Sequence, residues 1–276
     1  NSSIPICIDT EGAQIRTKIK KSKFIKLGQI IKIDKSKDGF ALYPEYIKEK
    51  IKVNDILKIG LDNLKVKIIK KGKIIKCKAI SMGKLENNKG VHLENRKIKI
   101  DFLTPKDLKA ILIGKKYKIR NFALSFTNSV NDILKFNRLL NKENKIFKIE
   151  TFNACKDFRK MIKHANNFLI DRGDLSKDVK IENIPIFQRN LFKIKNKNKN
   201  KNIYVATNLL ESMIVNSYPT RGEANDIFNS LEMGADGLVL AAETAIGKNP
   251  INSVKFLKNM SRVFIRSKYK NYKKYY

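Results

Sequence analysis

Acidic residues are scarce in this chain, 26 Asp and Glu against 59 Lys and Arg in 276 residues, so the places where they meet other reactive groups stand out. Lys148 and Glu150 lie two apart in Phe147-Lys148-Ile149-Glu150, and on a strand that spacing sends both side chains to one face. Glu150 and Asp174 offer hard carboxylate oxygens of the kind Mg²⁺ takes, with waters completing the octahedron. A lysine beside a metal-bound oxygen can stabilise a developing oxyanion or enolate. Gly173-Asp174 opens a helical segment, where free N–H groups can hold a carboxylate or phosphate. Asp9, Thr10, Ser125, Arg172, Thr207, Glu243 and Thr244 complete the polar residues that follow apolar runs. Each alone has a plainer reading. Lys-x-Glu is often a surface ion pair of little worth, and Thr207 could cap a helix. The set is more specific than its members.

These residues need elements to hold them at one rim. Runs at 119–126, 145–150, 167–171, 203–207 and 237–241 are short and apolar, as buried strands are, and a sixth precedes them at 4–8. Helical stretches such as 129–141, 208–214, 221–233 and 250–266 lie between them. Short buried strands alternating with helices predict a parallel sheet with right-handed crossovers. Reactive groups then gather at the carboxyl ends of the strands. Six strands are visible, and an eight-stranded barrel needs two more.

Residues 18–102 have a different texture. Ile30-Ile31-Lys32-Ile33, Ile56-Leu57-Lys58-Ile59, Leu64-Lys65-Val66-Lys67-Ile68 and Ile74-Ile75-Lys76-Cys77-Lys78-Ala79 alternate with period two, separated by turns such as Lys71-Gly72-Lys73. That patterning predicts a small antiparallel β domain. The low-complexity run 193–202 reads as a solvated surface loop, and the interleaved aromatics and lysines of 268–276 as a basic tail.

The net charge of +33 rests mainly on lysine, which with isoleucine and asparagine dominates the chain, and there is no tryptophan. Compositional drift accounts for much of that basicity. Proteins that grip nucleic acid specifically lean more on arginine, so non-specific attraction to polyanions is expected and specific recognition is not. Cys7, Cys77 and Cys155 are scattered and form no CxxC pair, which points to reduced thiols. No apolar run is long enough for a membrane span, and a cytoplasmic or organelle-stromal location is expected. The chain opens at Asn1 and enters an apolar strand at once, so a fragment or processed product is expected.

The set of motifs, in this order, resembles pyruvate kinase. Asp9-Thr10-Glu11-Gly12-Ala13-Gln14-Ile15-Arg16-Thr17 is similar to the family's D-T-K-G-P-E-I-R-T. Asn88-Lys89-Gly90-Val91-His92-Leu93 resembles the end of its lid domain, and Leu103-Thr104-Pro105-Lys106-Asp107 the re-entry into its barrel. Lys148-Ile149-Glu150, Asp171-Arg172-Gly173-Asp174-Leu175 and the long stretch 205–214 match further blocks, continuing through Thr220-Arg221-Gly222-Glu223 to Glu243-Thr244-Ala245. The resemblance implies a (β/α)₈ TIM-type barrel, apparently without its first two strands, at 1–17 and 103–267, with an inserted antiparallel β-barrel lid at 18–102. It implies Mg²⁺-dependent (or Mn²⁺-dependent) phosphoryl transfer from phosphoenolpyruvate to ADP, giving pyruvate and ATP. Lys148 would stabilise the transferring phosphoryl and the enolate oxygen, Glu150 and Asp174 would hold the metal, and Gly173, Asp174 and Thr207 would seat the substrate carboxylate. Arg16 and Lys89 match nucleotide- and phosphate-facing positions, and Asp9 and Thr10 half of a K⁺ site. A homo-oligomer is implied as well.

The chain also departs from the family pattern. Gln14 stands for a glutamate, Ala241-Ala242 for Ser-Gly, Thr151 for an asparagine, and Asp171 for a small alanine beside the metal motif. The family's phosphate-gripping arginine, carried before this chain's first strand, has no counterpart, nor has its C-terminal regulatory domain. The alternative reading is therefore a non-catalytic relative that keeps metal and phosphate-ligand binding.

Overall fold

A computed structural model of the chain describes residues 4–36, 38–60, 64–94, 96 and 98–269; residues 270–276 of the basic tail lie outside that set. The chain divides into two compact units, 1–11 with 105–276, and 12–104.

In the first unit six strands form one parallel sheet: Cys7–Asp9, Asn121–Leu124, Asn144–Ile149, Asn167–Asp171, Asn202–Ala206 and Gly237–Val239, paired in chain order. The registers bring their carboxyl ends level, with Asp9 opposite Ala123, Ile149 opposite Ile170 and Asp171 opposite Ala206. Helices separate successive strands, so every connection within the sheet is a crossover, as in a barrel-type α/β fold. The β domain is an insertion after the first strand.

The sequence explains these elements locally. Phe122, Phe147 and Phe168 point from neighbouring strands into one core, and Phe136 and Phe158 from two helices meet them edge-on at 5.8 and 5.0 Å. Each fully buried phenylalanine contributes about 1.5–3 kcal/mol of transfer free energy. Helix Val130–Leu139 starts on Ser129, which accepts the Asp132 N–H, and helix Phe152–Met161 starts on Thr151, which accepts that of Ala154. Gly114 lets helix Pro105–Lys116 approach the first strand closely, because a Cβ there would stand 2.4 Å from Ile8 Cδ1. At the amino ends of the strands an amide ladder fixes the register. Asn144 donates to the Asn121 side chain, Asn202 to that of Asn167, and Asn121 and Asn167 donate to neighbouring carbonyls.

Two stretches differ from expectation. Helix Ile184–Asn196 runs into the low-complexity segment, because Leu191 and Ile194 prolong its apolar stripe; the loop begins only at Lys197. The expected helix at 208–214 shrinks to the 3₁₀ turn Glu211–Ile214, because Thr207 and Asn208 adopt left-handed φ values of 67° and 54°.

In the second unit a seven-stranded antiparallel sheet runs in the order Ile30–Ile33, Ile75–Ala79, Leu64–Lys70, Ile56–Ile59, Gly90–Leu93, Ile15–Lys18, Ala41–Tyr43. A bridge from Ile33 to Phe40 nearly closes it into a barrel. Alternation sends Ile31, Ile33, Leu57, Ile59, Val66, Ile68 and Cys77 inward and lysines outward.

Candidate active site

Strand ends of the first unit converge on Lys148. Its side chain is mostly buried, and its Nζ lies 2.9 Å from Glu150 Oε1, 3.1 Å from Asp9 Oδ2 and 3.2 Å from Asp171 Oδ2. Burial opposes the ammonium charge, but Glu150, Asp9 and Asp171 outweigh it and hold Lys148 above its ordinary value.

Glu150 is 1% exposed. Its Oε2 accepts the N–H of Phe126, a residue turned into left-handed backbone at φ 52°. Its Oε1 has only the ion pair with Lys148 and no aligned hydrogen bond. Burial pushes the Glu150 carboxyl up to about 8, with Lys148 pulling it back and Asp171 and Asp174 pushing it further.

Asp171 closes its strand and turns the chain into Arg172–Leu175 by accepting the Asp174 N–H at 3.3 Å. Asp174 pairs with Lys177. One oxygen each from Glu150, Asp171 and Asp174 lie within 4.8 Å of one another. Hard oxygens at that spacing, one of them a buried atom without a hydrogen bond, suit a small divalent cation.

Thr207 is held in an unfavourable conformation for a β-branched residue, at φ 67°. Its Oγ1 accepts the Gly173 N–H at 2.8 Å and stands 3.2 Å from Asp171 Oδ1. Arg172 fixes the Thr207 carbonyl through two bonds of 3.1 and 2.7 Å while pairing with Asp226. Gly173 and Asp174 therefore reach the rim with their N–H groups engaged internally.

Asp9 Oδ1 accepts the Ser125 hydroxyl, and Thr10 Oγ1 accepts the Ser125 N–H. Glu243 lies at the same rim but is structural, because its two oxygens accept the N–H groups of Leu210 and Ala241. Asp9, Thr10, Lys148, Glu150, Gly173, Asp174 and Thr207 thus come together in one unit. Arg16 and Lys89 belong to the other. There Arg16 lies on strand Ile15–Lys18 opposite Gly90, which Lys89 immediately precedes, and the Arg16 Nη1 donates to the Asn88 carbonyl. Lys89 Nζ stands 3.2 Å from Glu86, and Arg16 Nε is buried without a hydrogen bond. Asp171 is the residue that sequence reasoning left out of the site. Its signal was a second carboxylate three positions before Asp174, the reach of a turn-capping side chain.

The chain matches the family model described as pyruvate kinase, barrel domain, over residues 1–254. It is similar to proteins named pyruvate kinase from Thermotoga maritima, at 32% identity over 94% of this chain and 58% of the relative, and Methanocaldococcus jannaschii, at 32% over 95% and 59%. A third, from Staphylococcus haemolyticus, is 32% identical over 94% of this chain and 47% of its own length. The chain thus spans about half to three-fifths of the length of these relatives.

Proposed function

The chain belongs to the pyruvate kinase family, and from that membership we propose that it moves the phosphoryl group of phosphoenolpyruvate to ADP. The P–O bond to the enol oxygen breaks, a bond forms to the terminal phosphate oxygen of ADP, and the enolate takes a proton at its methylene carbon to give pyruvate. The observation that carries this reading is the buried Lys148 ammonium at the centre of the carboxylate rim.

Lys148 is fully charged at neutral pH, because its neighbours raise it. It is placed to meet negative charge that grows on the transferring phosphoryl and on the enolate oxygen. Preorganisation by three carboxylates fixes the Nζ position before substrate arrives. Glu150 and Asp174, with Asp171 beside them, would hold Mg²⁺ or Mn²⁺, and such a cation, when bound, supplies charge neutralisation for phosphoryl transfer. Thr207 and the N–H groups of Gly173 and Asp174 are assigned to the substrate carboxylate. Arg16 and Lys89 are assigned to nucleotide phosphates, which the unsatisfied Arg16 Nε supports. Asp9 and Thr10 are assigned to a K⁺ ion, for which they would supply two of its oxygens.

The test is pyruvate formation from phosphoenolpyruvate and ADP with Mg²⁺, with and without K⁺. Turnover is expected to fall by about 10²–10³ in Lys148→Ala, the loss typical of one preorganised electrostatic group. Turnover insensitive to Lys148, or no turnover from a folded chain, would overturn the assignment.

A further inference from the structure

Asp171 engages the same kinds of donor that the proposed function assigns to the substrate. Its Oδ1 accepts the Asp174 N–H at 3.3 Å and lies 3.2 Å from the Thr207 hydroxyl. Its Oδ2 lies 3.2 Å from the Lys148 ammonium. One carboxylate thus spans a backbone amide, a hydroxyl and an ammonium. A turn cap needs only the first of these contacts, so the reach of Oδ2 to Lys148 is not explained by capping.

We propose that Asp171 is an internal competitor, a carboxylate of the chain that occupies the anion-binding donors and must be displaced or crowded when a substrate carboxylate enters. This rests on the assignment of Lys148, Thr207 and Asp174 to substrate. The physical grounds are donor capacity and charge. The Asp174 N–H has one hydrogen to give, and it is engaged. The phosphoryl or enolate oxygen brought to the Lys148 ammonium likewise meets the Asp171 carboxylate in a largely buried, poorly screened setting. A small uncharged residue at 171 would free the Asp174 N–H and remove one of three acidic neighbours from Lys148, which keeps Glu150 and Asp9.

The opposite role is also chemically reasonable, because Asp171 shares the carboxylate cluster with Glu150 and Asp174. As a metal ligand it would strengthen binding of an anion that arrives with the metal. The two roles predict opposite signs for one substitution.

The experiment is calorimetric titration of the full chain with oxalate, in EDTA and in Mg²⁺, for the wild type, Asp171→Ala and Asp171→Asn, with Lys148→Ala as control. Competition predicts at least tenfold tighter oxalate binding in Asp171→Ala under both conditions. Asp171→Asn keeps a capping acceptor and loses the charge, so it is expected to fall between Asp171→Ala and the wild type. It also serves if Asp171→Ala does not fold, which thermal melting reports. Weaker binding in the variants overturns competition in favour of metal ligation. Equal binding that disappears in Lys148→Ala overturns competition and leaves the proposed function standing. No binding by any variant, with all of them folded, overturns both.

Discussion

Lys148 and Glu150 carry opposite consequences of the same burial. The lysine keeps its proton because acidic side chains surround it, Asp9 and Asp171 still charged where Glu150 is not, whereas the Glu150 carboxyl is pushed by burial up to about 8 from an ordinary 4.5. Between those two pH values the folded chain holds a proton at Glu150 that the unfolded chain has released. The contribution of this group to stability therefore declines as pH rises through that window. A divalent cation must displace the same proton. Mn²⁺ binding, followed by electron paramagnetic resonance, is expected to strengthen from pH 6.5 to 8.5 and then level off. Glu150→Gln is expected to weaken binding and flatten the profile, and an unchanged slope in that variant would assign the proton elsewhere. The alternation of Lys148 and Glu150, and their place after an apolar run, were legible in the sequence. The contacts of Asp171 with Lys148 were not, since they come from parallel pairing of strands whose partnered residues lie 21 apart, which no local spacing encodes.

Among the elements, helix Arg221–Glu232 shows how a loop behind the site is pinned. Thr220 and Glu223 form a reciprocal cap, and Glu223 also accepts the N–H and hydroxyl of Ser212 in the turn after Thr207 and Asn208. Burial opposes the Glu223 charge, but the Ser212 and Thr220 donors prevail and hold its carboxyl below the ordinary range. Its stabilisation is present above pH 4.5 and lost as pH falls through the lowered value. Thr220→Ala is expected to cost about 1 kcal/mol. Glu223→Ala is expected to cost about 2 kcal/mol at pH 7, because several charge-assisted bonds go together. Urea unfolding at pH 7 and again at pH 3.5 checks this, and the gap between Glu223→Ala and the wild type should narrow in acid. The strands were readable to within a few residues from apolar runs alone. The turn at 208–214 was not, because periodicity carries no sign of the left-handed backbone at Thr207 and Asn208 that breaks the helical path.

At the scale of the whole molecule, the charge is unevenly displayed. Helices Phe152–Met161 and Ile184–Asn196 flank a groove of about 650 Å³ in the first unit, with Phe187 and Leu191 among its apolar lining. Lys156, Arg159, Lys160, Lys163, Lys193 and Lys197 line it, with no carboxylate among the lining residues. No helix among the described residues is long and apolar enough to cross a membrane. The cations are expected to attract polyanions without reading them. Four to six phosphate contacts correspond to a slope of about −3 to −4 in log affinity against log salt for a single strand. Fluorescence anisotropy with homopolymers of different base is expected to show that slope and less than tenfold preference between them. A strong preference would point to base recognition instead. Composition alone gave the sign and size of the charge. The clustering depends on two helices 30 residues apart packing side by side, and on which of their faces turns outward.

The left-handed backbone at Thr207 has a consequence for the history of the chain. Glycine or asparagine would adopt φ 67° with less strain, and the lost hydrogen bond to Gly173 is of similar size to the strain relieved. Folding alone is thus nearly indifferent to the hydroxyl, and mutation in a lineage freed from selection on its chemistry would drift toward the easier residues. The proposed seating of the substrate carboxylate by its hydroxyl is the kind of role that would keep a threonine here.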